Sequence, residues 1–130
     1  MNSDTHQNVI GFVVDHQKQI IFSRASGVVG LGDILNYIDA KKQAGVLEYA
    51  ELLDGSNIIV DLSISDLPVI GDAMRNSMAV QKSARTALVT NSAFIYGLAQ
   101  RYAEIRKRDN LQFEVFADYA EASKWISGED

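Results

Sequence analysis

The apolar pattern begins at Val9. Val9-Ile10-Gly11-Phe12-Val13-Val14-Asp15 is rich in β-branched and aromatic residues, His16-Gln17-Lys18-Gln19 is polar, and Ile20-Ile21-Phe22-Ser23-Arg24-Ala25-Ser26 is apolar again. Two such runs around a short polar turn predict a β-hairpin. Gly27, Gly30 and Gly32 then interrupt the strand pattern and predict a flexible turn. Leu31, Ile34, Leu35 and Ile38 recur at helical spacing, and Asp33 sits where the positive end of the helix dipole favours an anion. With Gly45 as the stop, this helix covers about residues 31–44.

Tyr49-Ala50-Glu51-Leu52-Leu53-Asp54 predicts a short third strand closed by Gly55-Ser56-Asn57. Asn57-Ile58-Ile59-Val60-Asp61-Leu62 reads either as a further strand or as an extended connection. Ser63-Ile64-Ser65-Asp66 fits a capping box, and Pro68 suits the first turn if Ser65 or Asp66 is the cap. The second helix then runs to about Ser83, with Leu67, Ile70, Met74 and Met78 as its buried stripe. Thr86-Ala87-Leu88-Val89-Thr90 is a strand. From Asn91-Ser92 to about Asp109 a third helix turns Ile95, Leu98, Ala99, Tyr102 and Ile105 inward. Phe113-Glu114-Val115-Phe116-Ala117 is the last strand, and Asp118 to Glu121 opens a closing helix that packs Ala122, Trp125 and Ile126.

The order β-β-α-β-(β)-α-β-α-β-α defines an α/β fold. Alternation after the hairpin implies parallel strands joined by right-handed crossovers. Ligand sites in such sheets lie beyond the carboxyl ends of the strands. That edge should carry Gly27 to Gly32, Asp54 to Asn57, Asn91 to Tyr96, and Asp118-Tyr119.

Composition narrows the function classes. The chain has 130 residues, no Cys and one Pro, and its formal net charge is −5. That length fits one domain, here 8–130, with a polar, disordered tail over 1–7. Disulfides, thiolate nucleophiles and Cys metal sites are excluded. An acidic balance disfavours nucleic-acid binding. No apolar run approaches the roughly 18 residues of a membrane span, and the N-terminus lacks the pattern of a signal peptide. A cytoplasmic location is therefore expected.

Catalytic constellations are absent from the pattern. His6 lies in the tail and His16 in the hairpin turn, so neither suggests a triad. Asp54 and Asp61 are two carboxylates expected near one sheet edge, where with Ser63 they could hold Mg²⁺, but Asp54-Gly55 also reads as a turn and Asp61 as an accessory cap. The glycines from Gly27 to Gly32 lack a complete phosphate-loop pattern. Arg106, Lys107 and Arg108 read as a solvated helix end that complements the macrodipole. Phe94 and Tyr96 fall off the core stripe of the third helix, which makes them, with Asp54 and Ser56 of the same edge, the candidate binding surface. No cofactor is expected.

The chain resembles the small SpoIIAA-like, STAS-type proteins, often labelled STAS/SEC14 domain proteins. The resemblance is carried by the opening hairpin, by Tyr49 to Asp54, and by Val60-Asp61-Leu62-Ser63 leading to Asp66-Leu67. Thr86 to Thr90, Ile95-Tyr96-Gly97-Leu98-Ala99 with Tyr102, and Val115-Phe116-Ala117-Asp118 with Glu121-Ala122 and Trp125 complete it. It implies a β-α superhelix with a mixed, mostly parallel sheet, an N-terminal hairpin and about four helices, mainly on one face. It also implies a non-enzymatic regulatory or interaction module that binds a protein partner. In such regulators a Ser of an Asp-Ser-Ser/Thr-Gly stretch opening the second helix is phosphorylated. Here that helix opens Ser63-Ile64-Ser65-Asp66-Leu67-Pro68, so the family's motif is missing and Ser63 and Ser65 are the nearest candidates. Helix capping accounts for both serines without a phosphate. The shared label with CRAL-TRIO-type carriers implies the alternative, a carrier or sensor of an apolar small molecule or lipid, which requires a pocket lined by Leu, Met and aromatic side chains. Apolar residues on both faces of the hairpin strands lead to the expectation of a homodimer.

Overall fold

Strands Ile10–Asp15 (β1) and Ile20–Gly30 (β2) pair antiparallel, with Gln19 at φ 57° closing the turn between them. The computed structural model describes residues 9–77 and 85–128. After β2 come helix Leu31–Gln43 (α1), strand Ala50–Asp61 (β3), helix Asp66–Ser77 (α2) and strand Arg85–Val89 (β4). Helix Ala93–Arg106 (α3), strand Gln112–Phe116 (β5) and helix Tyr119–Ile126 (α4) complete the order. The expected tail over 1–7, Met78 and the end of the second helix at Ser83 lie outside the described residues.

The five strands form one sheet in the order β1-β2-β3-β4-β5, parallel from β2 onward. Each crossover steps to the next strand in the same direction, so right-handed connections put α1, α2 and α3 on one face. Leu53, Leu88 and Val115 point to that face and pack with Ile95 and Ala99. Ile20, Leu52, Ala87 and Val89 point to the other, where α4 covers them with Ala122 and Ile126.

Two expectations about strand ends are corrected. Asn57 to Leu62 is neither a separate strand nor a connection, because β3 runs unbroken from Ala50 to Asp61. Likewise β2 continues through Gly27 to Gly30, so the glycine-rich segment is strand and not a turn. Both readings failed at one feature. Between Arg24↔Asp54 and Ser26↔Asn57 the register shifts by one extra residue in β3, a bulge that absorbs the turn-forming residues without ending the pairing. Asp54 makes its local turn bond, accepting from the Ser56 N–H at 3.1 Å, inside the strand. Gly55 allows this by close approach: a Cβ there would sit 3.2 Å from the Val89 carbonyl oxygen and 3.2 Å from Ile58 Cδ1.

Helix ends follow the local chemistry. Asp33 reaches back to the Gly30 N–H at 2.9 Å and Asp66 to the Ser63 N–H at 2.9 Å. Ser92 Oγ accepts from the Ile95 N–H at 3.2 Å, and Asp118 Oδ1 from the Ala120 N–H at 2.8 Å. Helix α1 stops at Gly45, whose φ is 73°. The Val46 N–H bonds the Lys41 carbonyl at 3.1 Å and the Gly45 N–H bonds the Lys42 carbonyl at 3.0 Å, the two bonds of a Schellman motif. Val46 is fully buried behind it, which fixes the last turn of α1, and with it Lys41, against the sheet.

Candidate functional site

Helical spacing places Ile34, Tyr37, Ile38 and Lys41 on one stripe of α1, the face turned to the sheet. Strand alternation places Ser23 of β2 and Glu51 of β3 on the sheet face beneath it. Two polar strand residues and two polar helix residues therefore meet in the interior. Tyr37 Oη donates to Glu51 Oε2 and lies 2.5 Å from Ser23 Oγ. Lys41 Nζ donates to the same Glu51 oxygen at 2.9 Å and stands 4.2 Å from the Tyr37 ring centroid. The side chains of Lys41 and Glu51 are 3% and 11% exposed, so this is a buried ion pair. Loss of hydration pushes the Tyr37 phenol well above its ordinary range, and the Glu51 carboxylate beside it pushes the same way.

Tyr37, Lys41 and Glu51 form one wall of a cavity of about 190 Å³ between the sheet and helices α1 to α3. The rest of the wall is mostly aliphatic and aromatic, including Leu53, Leu88, Met74, Leu98 and Phe113. An apolar cavity of about 150 Å³ accommodates benzene, so this volume suits a molecule of one ring with a small substituent.

A second buried charge cluster adjoins the cavity. Arg106 also lines the cavity, donating from Nε to Asp109 at 2.7 Å and from a terminal nitrogen to Tyr102 Oη at 2.8 Å. Arg75 of α2 reaches the same carboxylate at 3.0 Å and Asp72 at 2.7 Å. Hydrogen bonds from Arg75, with those from Arg106, hold the Asp109 carboxyl below the usual carboxylate range. Burial raises the Tyr102 phenol against the opposing pull of Arg106. The reading of Arg106 as a solvated cation is thus corrected. It is 3% exposed, because Asp109 follows one turn later and supplies a buried partner.

The residues singled out from sequence lie elsewhere. Phe94 and Tyr96 are 59% and 51% exposed at the start of α3. Asp54 and Ser56 bond each other, and Asp54 pairs level with Val89, four residues before α3 begins. Both belong to the expected sheet edge, while the cavity lies between the sheet and α1 to α3. Ser63 and Ser65 are exposed, their hydroxyls 2.9 Å apart. Asp54 and Asp61 stand seven residues apart along one strand, roughly 20 Å, too far to share a metal. Among the described residues no cluster of three His, Asp or Glu side chains is placed to hold a metal ion. His16 bonds the Tyr49 hydroxyl at 3.1 Å on the surface, and His6 lies outside the described residues.

Tyr37, Lys41 and Glu51 were missed, although two signals were present. Lys41 continues the apolar α1 stripe at the i+7 position from Ile34, and Glu51 occupies an inward position in the alternation Glu51, Leu53, Gly55. A charge on a core-facing position normally has a buried partner, and here each is the other's.

The five-stranded mixed sheet of this order and the four α-helices of the described residues make a SpoIIAA-like fold. Among solved structures it is similar to an uncharacterized protein of the DUF3478 family, with a SpoIIAA-like fold, from Shewanella loihica PV-4. That likeness has a TM-score of 0.62 at 12% identity and covers 96% of this chain and 99% of that chain. No protein-family model and no curated protein matches the sequence. Among the described residues no helix is long and apolar enough to cross a membrane.

Proposed function

We propose that this protein is a non-enzymatic carrier or sensor of a small apolar molecule, held in the cavity between the sheet and α1 to α3. The observation that carries the reading is an apolar chamber of about 190 Å³ with a buried, ion-paired polar wall. A core built only for stability packs without such space, since voids lose both transfer and dispersion energy. The lining also matches what the carrier reading required: Leu, Met and aromatic side chains with a few convergent polar groups. Binding without chemistry is favoured because the Lys41 charge is paired with Glu51 and the Arg106 charge with Asp109. Native mass spectrometry of protein isolated under mild conditions, followed by solvent extraction, tests the proposal. A stoichiometric adduct of low mass that is lost on denaturation is expected. Protein that carries no adduct and is not thermally stabilised by any small apolar compound would contradict it.

A regulatory protein-binding role is the second reading, supported by the exposure of Phe94 and Tyr96 at the head of α3. In that reading Ser63 or Ser65 would be the modified position and the location cytoplasmic. A homodimer would form along the β1 edge, where Val13 is exposed. Phe94→Ala/Tyr96→Ala would then abolish partner capture while leaving the melting temperature and the cavity's ligand binding unchanged.

A further inference from the structure

The polar wall of the cavity also defines which head group its ligand carries. Lys41 is an ammonium with three N–H donors. Among the described residues one of them is spent, on Glu51 Oε2. The Tyr37 hydroxyl donates to that same oxygen, so Glu51 Oε1 has no donor among the described residues. With the ammonium also lying 4.2 Å from the Tyr37 ring centroid, a donor and an acceptor remain without a hydrogen-bond partner among the described residues, side by side, on side chains that line the cavity and are largely shut off from solvent. Buried hydrogen-bonding groups are normally satisfied, by protein, water or ligand.

Charge narrows the choice further. Lys41 is balanced by Glu51, and Arg75 and Arg106 are balanced by Asp72 and Asp109. A carboxylate or ammonium brought against this polar wall, whose Lys41 and Glu51 side chains are only 3% and 11% exposed, would be an unmatched, largely desolvated charge, which is unfavourable. A neutral group that both accepts and donates meets a Lys41 donor and the Glu51 acceptor at no cost in charge. Its oxygen accepts from Lys41 Nζ–H and its proton goes to Glu51 Oε1. A bare hydrocarbon would leave both unsatisfied.

We infer that the cavity selects an uncharged, single-ring-sized molecule bearing one hydroxyl, an alcohol or phenol, whose hydroxyl bridges Lys41 and Glu51. This rests on the cavity being a ligand site, and the test separates the two claims. Isothermal titration of the whole protein is carried out with 4-methylphenol, toluene, 4-methylbenzoate and 4-methylbenzylamine, which share a skeleton and differ in head group. Two charge-assisted hydrogen bonds predict 4-methylphenol to bind tenfold to a hundredfold tighter than toluene, with both ions weaker still. The double variant Lys41→Met/Glu51→Leu, which removes both charges together, should bind toluene and 4-methylphenol equally. Toluene or an ion binding as tightly as the phenol to the native protein overturns the head-group assignment and leaves the cavity reading standing. Failure of all four probes to bind overturns both.

Discussion

Lys41→Met is the most informative single change. Lys41 Nζ lies 2.9 Å from Glu51 Oε2, with the two side chains 3% and 11% exposed. Methionine fills most of the lysine stem's volume, so packing is largely kept and the charge is lost. Glu51 is then a buried carboxylate held by the Tyr37 hydroxyl alone. Breaking one side of a buried pair costs about 3–5 kcal/mol. Against a total stability of about 5–15 kcal/mol for such a domain, that is a large share. At roughly 4 °C per kcal/mol for a chain of this size, the melting temperature should fall by roughly 12–20 °C. Glu51→Leu should cost a similar amount, because it strands the ammonium. The double variant Lys41→Met/Glu51→Leu strands neither charge, and the Tyr37 hydroxyl keeps its bond to Ser23. Replacing both charges by apolar groups is commonly neutral or stabilising, so the double variant should lie within about 1.5 kcal/mol of the native protein. Urea denaturation of all four proteins measures the cycle. Two single variants each costing under about 1 kcal/mol, with additive effects, would refute the reasoning, since that is the behaviour of a solvent-exposed pair.

Three other outcomes are expected. Tyr37 and Tyr102 hold their protons more tightly when folded, so the stability they contribute is fully present below the unfolded phenol value near 10 and is lost as pH rises through their folded values. Phenolate ultraviolet absorbance followed against pH should show these two tyrosines ionising together with unfolding. Asp109 behaves oppositely: its stabilisation is present above the unfolded carboxyl value near 4 and fades as pH falls below it. Asp109→Asn should therefore cost about 3 kcal/mol at neutral pH, with the gap from the native protein narrowing in acid. Gly55→Ala should cost about 1–3 kcal/mol in urea denaturation, because its methyl group meets the Val89 carbonyl oxygen at 3.2 Å in a backbone that has little room to move.

Periodicity carried most of the fold. The first hairpin strand, the start of the second, α1 and the strands at Arg85–Val89 and Gln112–Phe116 fall within one or two residues of their predicted positions. Their apolar spacing, caps and stop signals agree with one another. The reading failed where local chemistry opposed pairing. Asp54-Gly55-Ser56-Asn57 is turn-forming in isolation, yet neighbours on both sides hold Asp54 in the sheet and a bulge absorbs the extra residue. The surface candidates were legible as positions, since Phe94 and Tyr96 are exposed as their place off the stripe implied. The cavity was not legible. It arises from residues of all five strands and of α1, α2 and α3 that come together only through tertiary packing. Its one local trace, a lysine on an apolar helical stripe, acquires meaning only when Glu51 is seen beneath it.

On the proposed reading, the cavity between the sheet and α1 to α3, rather than the exposed aromatic pair, receives the ligand. Heteronuclear NMR with labelled methyl groups, titrated with 4-methylphenol, tests it most directly. Saturable shifts at the methyls of Leu53, Leu88, Leu98 and Met74, with the backbone signals of Phe94 and Tyr96 unmoved, are the predicted result. Shifts confined to Phe94 and Tyr96, or no saturable shift at the cavity methyls, would contradict it.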